Sequence, residues 1–328
     1  MKRRVPNLRG SEPLLDIVSY GRSGPRSLTR AERDYVDRTV RRAPEVVIKV
    51  SGGARTLAGV ERHLAYVGRQ GKLAMESDDG QALTGKGFQS DVILDWNLDL
   101  EARARNAQRS IRAAGKSPKL VHNILFSMPP GTRPDLVLKA VRKLAAHQFA
   151  LKHRYAMVLH TDEPHPHVHV VVKAVSEQGE RLNIKKATLR DWRREFAANL
   201  RELGVWANAT ERAVRGQSRT SKSDGIFRAD QRGQSSYMRA SANSVILNAA
   251  NGVKDTGKEA LISTRERVVA GWRAVSARLR SDGDHKLSRE VDQFVEQMPP
   301  PLTERELLLR GLRPIEPPPR RGPPARTR

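Results

Sequence analysis

Ten residues in the middle of the chain, from His160 to His169, hold four of its nine histidines and an aspartate. The preceding segment, residues 154–160, predicts a β-strand, and residues 167–173, rich in β-branched side chains, predict a second. Asp-Glu-Pro between them is typical of a turn, so the two strands are expected to be antiparallel neighbours. The chain must therefore fold around a sheet that carries several imidazoles close together.

Three of these histidines predict a metal site. Side chains alternate along a strand, so His167 and His169 point to the same face. His160, at the end of the neighbouring strand, can approach this pair from the side. Three converging imidazoles with few other polar groups nearby are typical of a metal centre that keeps positions open for water or substrate. The simpler interpretation is a core strand next to a polar turn. It would account for a single histidine, but not for three at the spacing of metal ligands.

Two more polar residues of this stretch are assigned outer roles. His165 shares the strand parity but lies in the turn, so it is a candidate for an additional metal or phosphate contact. Asp162 is better placed to orient a ligand imidazole than to bind the metal itself. The chain has no cysteine, so a metal would be held by histidine and carboxylate. Three imidazoles bind Zn²⁺, Ni²⁺ or Co²⁺ more tightly than Mg²⁺.

The net charge of the chain indicates the chemical class of its partner. The 60 lysines and arginines outnumber the 36 acidic residues, which gives a formal net charge of +24. That excess predicts a polyanionic partner, with nucleic acid first and an acidic membrane surface second. No stretch approaches the ~20 apolar residues of a membrane span, and the basic N-terminus lacks the apolar region of a signal peptide. A cytoplasmic protein without membrane insertion is expected.

The histidine stretch, His-x-Asp-x-x-His-Pro-His-x-His followed by valines, resembles the third motif of conjugative relaxases. These are HUH endonucleases that nick plasmid or integrative-element DNA at an origin of transfer. The likeness is greatest to the subgroup that contains the border-nicking relaxase of T-DNA transfer. Residues 52–72, with Gly-Gly-x-x-Thr, Leu-x-Tyr-Val and Arg-Gln-Gly-Lys, resemble the first motif, and residues 126–132 resemble the second. Residues 209–216 are similar to the segment that closes the relaxase core.

The resemblance assigns roles to individual residues. Tyr66 is the only one of five tyrosines that matches the first motif, which makes it the expected nucleophile, with Asp162 as its catalytic partner. Ser127 takes the place of the serine that contacts DNA near the scissile phosphate. The other expected DNA contacts are basic: Arg62, Arg69, Lys72, Arg212 and Arg215.

The resemblance also implies an architecture. It predicts an α/β sandwich of two or three layers, with a central antiparallel sheet that carries the histidines, and a helical C-terminal region. The element pattern alone indicates only a mixed α+β fold. Four regions are expected: a basic N-terminal arm at 1–44, the relaxase domain at 45–218, a linker and helical region at 219–298, and a disordered tail rich in proline and arginine at 299–328.

Cofactor and partners follow from the same likeness. One divalent ion, Mg²⁺ or Mn²⁺, is expected at the histidines. The expected partners are single-stranded DNA at the origin of transfer, an accessory nicking protein of the relaxosome, and a coupling protein with its type IV secretion system. The protein is expected in the bacterial cytoplasm, and in the recipient cell if it is translocated with the DNA.

Three other functions fit parts of the pattern. A rolling-circle replication initiator uses the same chemistry, although no Gly-x-x-x-x-Gly-Lys-Ser/Thr loop of a helicase is present. A non-catalytic DNA-binding protein with a structural histidine–metal site would not need Tyr66. A metal-dependent hydrolase unrelated to DNA would leave the charge of +24 unexplained.

Overall fold

The computed structural model describes residues 15–22, 26–109, 117–218, 224–251, 255 and 257–312. These residues form two compact units. The first contains residues 31–210, and the second contains residues 15–30 together with residues 211–312. None of the helices in the described ranges combines the length and apolar character needed to cross a membrane.

The elements are numbered in chain order. The strands are β1 (Val47–Ala54), β2 (Met75–Ser77), β3 (Ala82–Leu83), β4 (Val121–Ser127), β5 (Tyr155–His160) and β6 (His167–Lys173). The helices are α1 (Ile17–Tyr20), α2 (Arg30–Val40), α3 (Leu57–Val67), α4 (Phe88–Asp95), α5 (Leu98–Arg109), α6 (Pro134–Phe149), α7 (Lys186–Glu202), α8 (Asp224–Gln231), α9 (Ser236–Ala250), α10 (Gly257–Ser281), α11 (His285–Glu296) and α12 (Glu304–Leu312).

The first unit is built on a six-stranded sheet in the order β1-β4-β6-β5-β2-β3, and every pairing is antiparallel. β6 and β5 lie in the middle, and all seven residues of β6 are buried. A strand buried on both faces needs apolar or paired side chains on both, which its valines supply. The expected antiparallel sheet with the histidines on central strands is confirmed.

Helices cover both faces of this sheet, so the sandwich has three layers. On one face, Phe126, Val168 and Val170 join an apolar cluster with the buried sides of α6 and α7. On the other face, Val121 and Val171 pack with residues of α3 and α4. Because side chains alternate, His167 and His169 share the second face with Val171. The metal-site candidates therefore lie on the layer to which α3 belongs.

β1 continues further than its sequence predicts. Gly52 and Gly53 after an apolar run predict the end of a strand, but the pairing with β4 continues to Ala54 after a register shift between Val50 and Gly52. Gly53 has φ +131°, and a Cβ there would lie 2.2 Å from the Val121 carbonyl oxygen. The prediction is wrong because a glycine bulge lets the backbone kink and stay paired.

Two other segments of this unit differ from what their composition predicts. The polar, glycine-containing stretch after α3 predicts a helix only from about residue 100, but it also contains the β2–β3 hairpin and α4. Residues 182–185 predict a short strand, but a single bridge joins Val175 and Arg181 instead. Phe88, Val92 and Ile93 explain α4, because their burial against α3 outweighs the polar composition around them.

The second unit is helical, as expected for the C-terminal region. Its longest helix, α10, buries Trp272, whose indole N–H donates to the Val214 carbonyl at 2.9 Å. α1 crosses α10 so closely that a Cβ on Gly271 would lie 1.9 Å from the Ile17 carbonyl oxygen. The described part of the expected N-terminal arm is thus packed: Ile17 belongs to this unit, and Tyr35 is buried in the first.

The C-terminal half contains two further helices. α8 lies within the expected linker and helical region, whereas α12, which has Glu304 and Glu306 in its first turn, lies in the stretch expected to be a disordered tail. Acidic residues there favour a helix N-terminus. Residues 313–328 of that tail lie outside the described residues.

One imidazole at the end of β4 predicts a pH-dependent stability. Burial, together with Lys119 and Arg181, lowers the pKa of His122 to about 4, whereas an unfolded histidine titrates near 6.5. Between those values the unfolded chain binds a proton that the folded chain does not. The free energy of unfolding should therefore fall as the pH decreases from about 6.5 to about 4. Denaturant melts of the metal-free chain and of His122→Gln should show a shallower loss in the variant; parallel curves would contradict this cause.

Candidate active site

His160, His167 and His169 form one compact group. His160 ends β5 and lies directly opposite His167 of β6 in the antiparallel register. One ring nitrogen from each histidine lies within 4.8 Å of the other two, and the three ring centroids are 4.8–5.3 Å apart. All three side chains are buried. The structure thus brings together the three residues expected to bind a metal, and we call them the histidine triad.

Two main-chain carbonyls orient the triad. The His160 Nε2–H donates to the Val67 carbonyl at 2.7 Å, and the His167 Nδ1–H donates to the His165 carbonyl at 2.9 Å. These bonds leave the lone pairs on His160 Nδ1 and His167 Nε2. The buried His160 Nδ1 has no hydrogen-bond partner among the described residues. A buried polar atom without a partner is costly, and a metal ion would satisfy it.

His169 is oriented by a buried amide. Its Nδ1 lies 3.0 Å from the Asn123 amide nitrogen and 3.4 Å from the amide oxygen. The Asn123 amide also contacts the Ser51 hydroxyl at 2.8 Å. The two ends of an asparagine amide exchange by a half-turn. With the oxygen toward His169, it accepts the Nδ1–H and leaves the Nε2 lone pair for a metal, while Ser51 donates to the same oxygen.

The protonation state of His160 and His169 favours the binding of a cation. Burial and the neighbouring imidazoles of His160 and His167 lower the pKa of His169 to about 3. Burial likewise lowers the pKa of His160, with Arg69 and His167 adding to the effect and the Val67 carbonyl opposing it. Both rings are therefore neutral at pH 7, which is the form that binds a metal. The donor set fits a divalent ion.

The helix that carries Tyr66 ends beside the triad. α3 begins at Thr56, whose side chain accepts from the Gly59 N–H, and it is capped at Gly68, as the sequence predicts. Tyr66 is 59% exposed. The next residue, Val67, supplies the carbonyl that holds His160. The tyrosine is thus one peptide unit away from a bond to the triad.

Arg69 and Asp162 lie between the tyrosine and the triad. The Arg69 guanidinium carbon is 5.7 Å from the centre of the Tyr66 ring, and its Nη2 donates to Asp162 at 2.5 Å. Desolvation alone would raise the pKa of Asp162, but Arg69 outweighs it and the pKa is lowered. Asp162 Oδ1 is 4.0 Å from His160 Nδ1, so the Val67 carbonyl, and not this carboxylate, makes the orienting bond.

Some of the remaining expected residues lie near the triad, and others do not. Ser127 pairs with His167 in the sheet, so both side chains point to the same face. His165 is exposed in the turn and contributes its carbonyl to the site, while its ring is not part of the compact group. Arg62 is exposed on α3, about one turn before Tyr66, and Lys72 is exposed in the segment that follows the helix. Two arginines fall in the second unit and not in the unit that carries the triad: Arg212 and Arg215.

Asn123, Ser51 and His63 were not predicted as site residues. Asn123 has the same strand parity as Ser127, so a polar residue in an apolar strand could have revealed it. His63 lies one turn before Tyr66, and its buried Nε2 has no hydrogen-bond partner among the described residues. Helical spacing places it on the tyrosine's side of α3. Ser51 gives no signal, because its contact with Asn123 depends on the β1–β4 pairing.

Asn123 provides a test of the orienting bond. Asn123→Leu removes the acceptor for the His169 N–H, so the affinity for Mn²⁺ should fall by roughly 10- to 100-fold. Asn123→Asp keeps an oxygen in place and should retain the affinity. Calorimetric titration of both variants, after thermal melts show that they fold, measures the difference. Equal losses in the two variants would mean that the amide does not orient His169.

Comparison with known proteins identifies this part of the chain. Residues 68–205 match the family model described as relaxase, MobA/VirD2-like, nuclease domain. This segment is similar to the nuclease domain of the MobA/VirD2-like relaxases. The recognition drawn from the sequence motifs is confirmed, and the segment includes the histidine triad, Asp162 and Ser127. Tyr66 lies two residues before it, so its role depends on the geometry described above.

The curated relatives of this relaxase segment are T-DNA border endonucleases. The VirD2 endonuclease of Rhizobium radiobacter is 26% identical over 199 residues, which cover 52% of this chain and 43% of the relative. That of Rhizobium rhizogenes is 27% identical over 145 residues, or 39% and 30% of the two chains. The chain thus spans less than half the length of these relatives.

A solved structure also matches part of this chain. It is titled "Molecular Basis of Vancomycin Resistance Transfer in Staphylococcus aureus" and is 11% identical. The match covers 52% of this chain and 99% of that chain, with a TM-score of 0.33. This score is too low to establish a common fold.

Proposed function

We propose that this relaxase nicks one strand of DNA at an origin of transfer by transesterification. The Tyr66 hydroxyl attacks a backbone phosphorus, and the protein is joined to the 5′ end that results. The observation that supports this most is the 2.7 Å bond between His160 and the carbonyl of Val67. It ties the helix of the tyrosine to the histidine triad, so that one phosphate can meet both.

The step balances without water or a redox partner. A bond forms between the Tyr66 oxygen and phosphorus, and the bond from phosphorus to the 3′ oxygen breaks. The phenol loses its proton, and the departing oxygen gains one to become a free 3′-hydroxyl. One phosphodiester replaces another, so the reaction stays close to equilibrium and the strand can be rejoined by its reversal.

The residues of the chain divide this work. Attack requires the phenol to give up its proton, and the Arg69 guanidinium beside the ring would stabilise the negative charge that develops on the oxygen. Asp162 holds Arg69 through their 2.5 Å ion pair. A divalent ion held by the histidine triad, Mg²⁺ or Mn²⁺, would withdraw charge from a phosphate oxygen. Ser127, beside His167, would donate to another oxygen of the same phosphate.

The substrate is proposed to be single-stranded at the nick. The triad is buried and Tyr66 is exposed next to it, so the phosphate must be drawn out of a duplex to reach both. The net charge of +24 supplies affinity for the backbone, to which Arg62, Lys72, Arg212 and Arg215 would contribute. The relaxase domain is proposed to span residues 45–218, which include the first unit from β1 onward and the segment with those last two arginines.

The partners are proposed from the family alone. A relaxase of this kind would act with an accessory nicking protein, a coupling protein and a type IV secretion system, and would travel with the DNA. The rolling-circle initiator remains the alternative with the same chemistry. Strand transfer into a recipient cell, measured with a plasmid that carries the nicked site, separates the two.

A nicking assay tests the central claim. The protein is incubated with Mn²⁺ and a supercoiled plasmid that carries the DNA flanking its gene, and the nick is mapped by primer extension. A labelled single-stranded oligonucleotide across that nick should then give a covalent protein–DNA band on a denaturing gel. A free 3′-hydroxyl and a blocked 5′ end are expected. Cleavage that leaves a free 5′-phosphate would indicate hydrolysis and contradict the proposal.

A further inference from the structure

A cavity lies beside Tyr66 and extends along α3 toward the N-terminal end of that helix. Its volume is about 510 Å³. The wall is formed by the end of β1, the turn that follows it and one side of α3. The lining residues are Gly53, Ala54, Arg55, Thr56, Gly59, Arg62, His63 and Tyr66. The cavity therefore starts at the proposed nucleophile and ends at Arg55.

Three cationic side chains, the first of which is Arg55, extend away from that end of the cavity. The Arg55 guanidinium donates to the Ser117 carbonyl, and the Lys119 ammonium donates to the Gly52 carbonyl at 2.7 Å. Arg181 in turn donates to the Lys119 carbonyl at 3.1 Å. Main-chain carbonyls thus hold all three in place, and within the described ranges no carboxylate forms an ion pair with any of them. We call Arg55, Lys119 and Arg181 the cation row.

The charge of this row is not neutralised locally. Burial lowers the pKa of Lys119, and Arg55 lowers it further by repulsion. His122, next in the chain beyond Val121, feels Lys119, Arg181 and Arg55 as positive neighbours. Like charges held close together at the edge of a protein are costly unless an anion joins them. The row is therefore a site for negative charge that the folded chain itself does not supply.

The cavity and the row together fit a nucleic-acid strand. A single strand offers a flat base and sugar next to each phosphate, and phosphates repeat along it. The open cavity with Tyr66 at one end suits the sugar and base, and the fixed cations suit the phosphates that follow. A free phosphate would need one cation cluster and would leave the cavity unused.

We propose that the cavity and the cation row bind the stretch of single-stranded DNA that leaves the scissile phosphate on one side of Tyr66. This inference rests on the proposed function and adds the path of the substrate to it. The contacts of the cation row are to phosphates, so the row should contribute affinity without sequence preference.

The test compares two sets of three charge-removing substitutions. One variant carries Arg55→Gln, Lys119→Gln and Arg181→Gln. The matched control carries Lys139→Gln, Lys152→Gln and Lys186→Gln, three exposed lysines on α6, the turn after it and α7, which cover the opposite face of the sheet. Binding of a fluorescent 20-residue oligothymidylate is measured by anisotropy at several salt concentrations.

The row variant should bind about 10- to 100-fold more weakly than wild type at 0.1 M salt. Each phosphate contact on a single strand contributes about 0.7 to the slope of log affinity against log salt, so its slope should decrease by about 2. The control should keep the wild-type slope. Arg55→Gln alone, at an exposed position, should decrease the slope by about 0.7 and guards against misfolding of the triple variant.

The outcomes separate this inference from the proposed function. If the row variant and the control weaken binding equally, or if neither changes the slope, the cation row does not bind the strand. If wild type nicks its origin and forms the Tyr66 adduct while the row variant binds normally, only the path is rejected. If wild type fails to bind the oligothymidylate at low salt, the proposed function fails with it.

Discussion

Tyr66→Phe is expected to abolish the covalent protein–DNA band and the cleavage of a single-stranded origin oligonucleotide. The substitution removes one oxygen from a side chain that is 59% exposed, so the core of α3 is not disturbed. The 2.7 Å bond from His160 goes to the Val67 main chain, which the substitution does not alter. Fold, metal affinity and DNA binding should therefore persist while the chemistry is lost, by a factor of at least about 10³.

Tyr237→Phe is the matched control. Tyr237 is 54% exposed and also lies on a helix, α9 of the second unit. The Tyr237→Phe substitution should leave the adduct band unchanged. Tyr20 and Tyr35, which precede the first strand, are both 5% exposed, and the Tyr20 hydroxyl donates to the Arg26 carbonyl. A band that persists in Tyr66→Phe would mean that another residue attacks, and mapping of the DNA-linked peptide would identify it.

Alanine at His167 or His169 is expected to abolish binding of one divalent ion per chain. Each substitution removes one of three nitrogens that converge within 4.8 Å, and two neutral ligands hold Mg²⁺ or Mn²⁺ poorly. His160→Ala should have nearly the same effect and should also free the Val67 carbonyl. Calorimetric titration with Mn²⁺, and with Zn²⁺ as the tighter-binding probe, measures the loss.

His165→Ala is the internal control for the triad. Its ring is exposed, and the bond to His167 comes from its main-chain carbonyl, which alanine retains. Its metal affinity should stay within a few-fold of wild type. An effect as large as that of His167→Ala would show that the ligand set is wrong. Asp162→Asn should weaken the ion pair with Arg69 and reduce cleavage more than metal affinity.

The triad was predictable because its geometry is local. Strand periodicity alone places His167 and His169 on one face, and a short turn brings His160 beside them. The helix with Tyr66 was likewise predictable from the spacing of Leu57, Val60 and Leu64 and from the glycine that ends it. In both cases residues a few positions apart determine the structure.

The contacts that complete the site were not predictable, because they join distant segments. The bond from His160 reaches Val67, 93 residues earlier, and the contact between Asn123 and Ser51 spans 72 residues. The second of these exists only because β1 continues past its glycines. Sequence periodicity does not reveal a bulge that keeps a strand paired. The cation row depends on the same pairing, since Lys119 holds the carbonyl of Gly52.

Tyr66 is more than half exposed, and its position depends mainly on the main chain of α3. The last turn of this helix is anchored to the triad by the bond between the Val67 carbonyl and His160. One residue inserted between Leu64 and Tyr66 would rotate the tyrosine by about 100° around the helix axis. The buried face of α3 up to Leu64 would be kept, but the hydroxyl would turn away from the triad. The number of residues along this helix therefore determines the direction of the Tyr66 side chain.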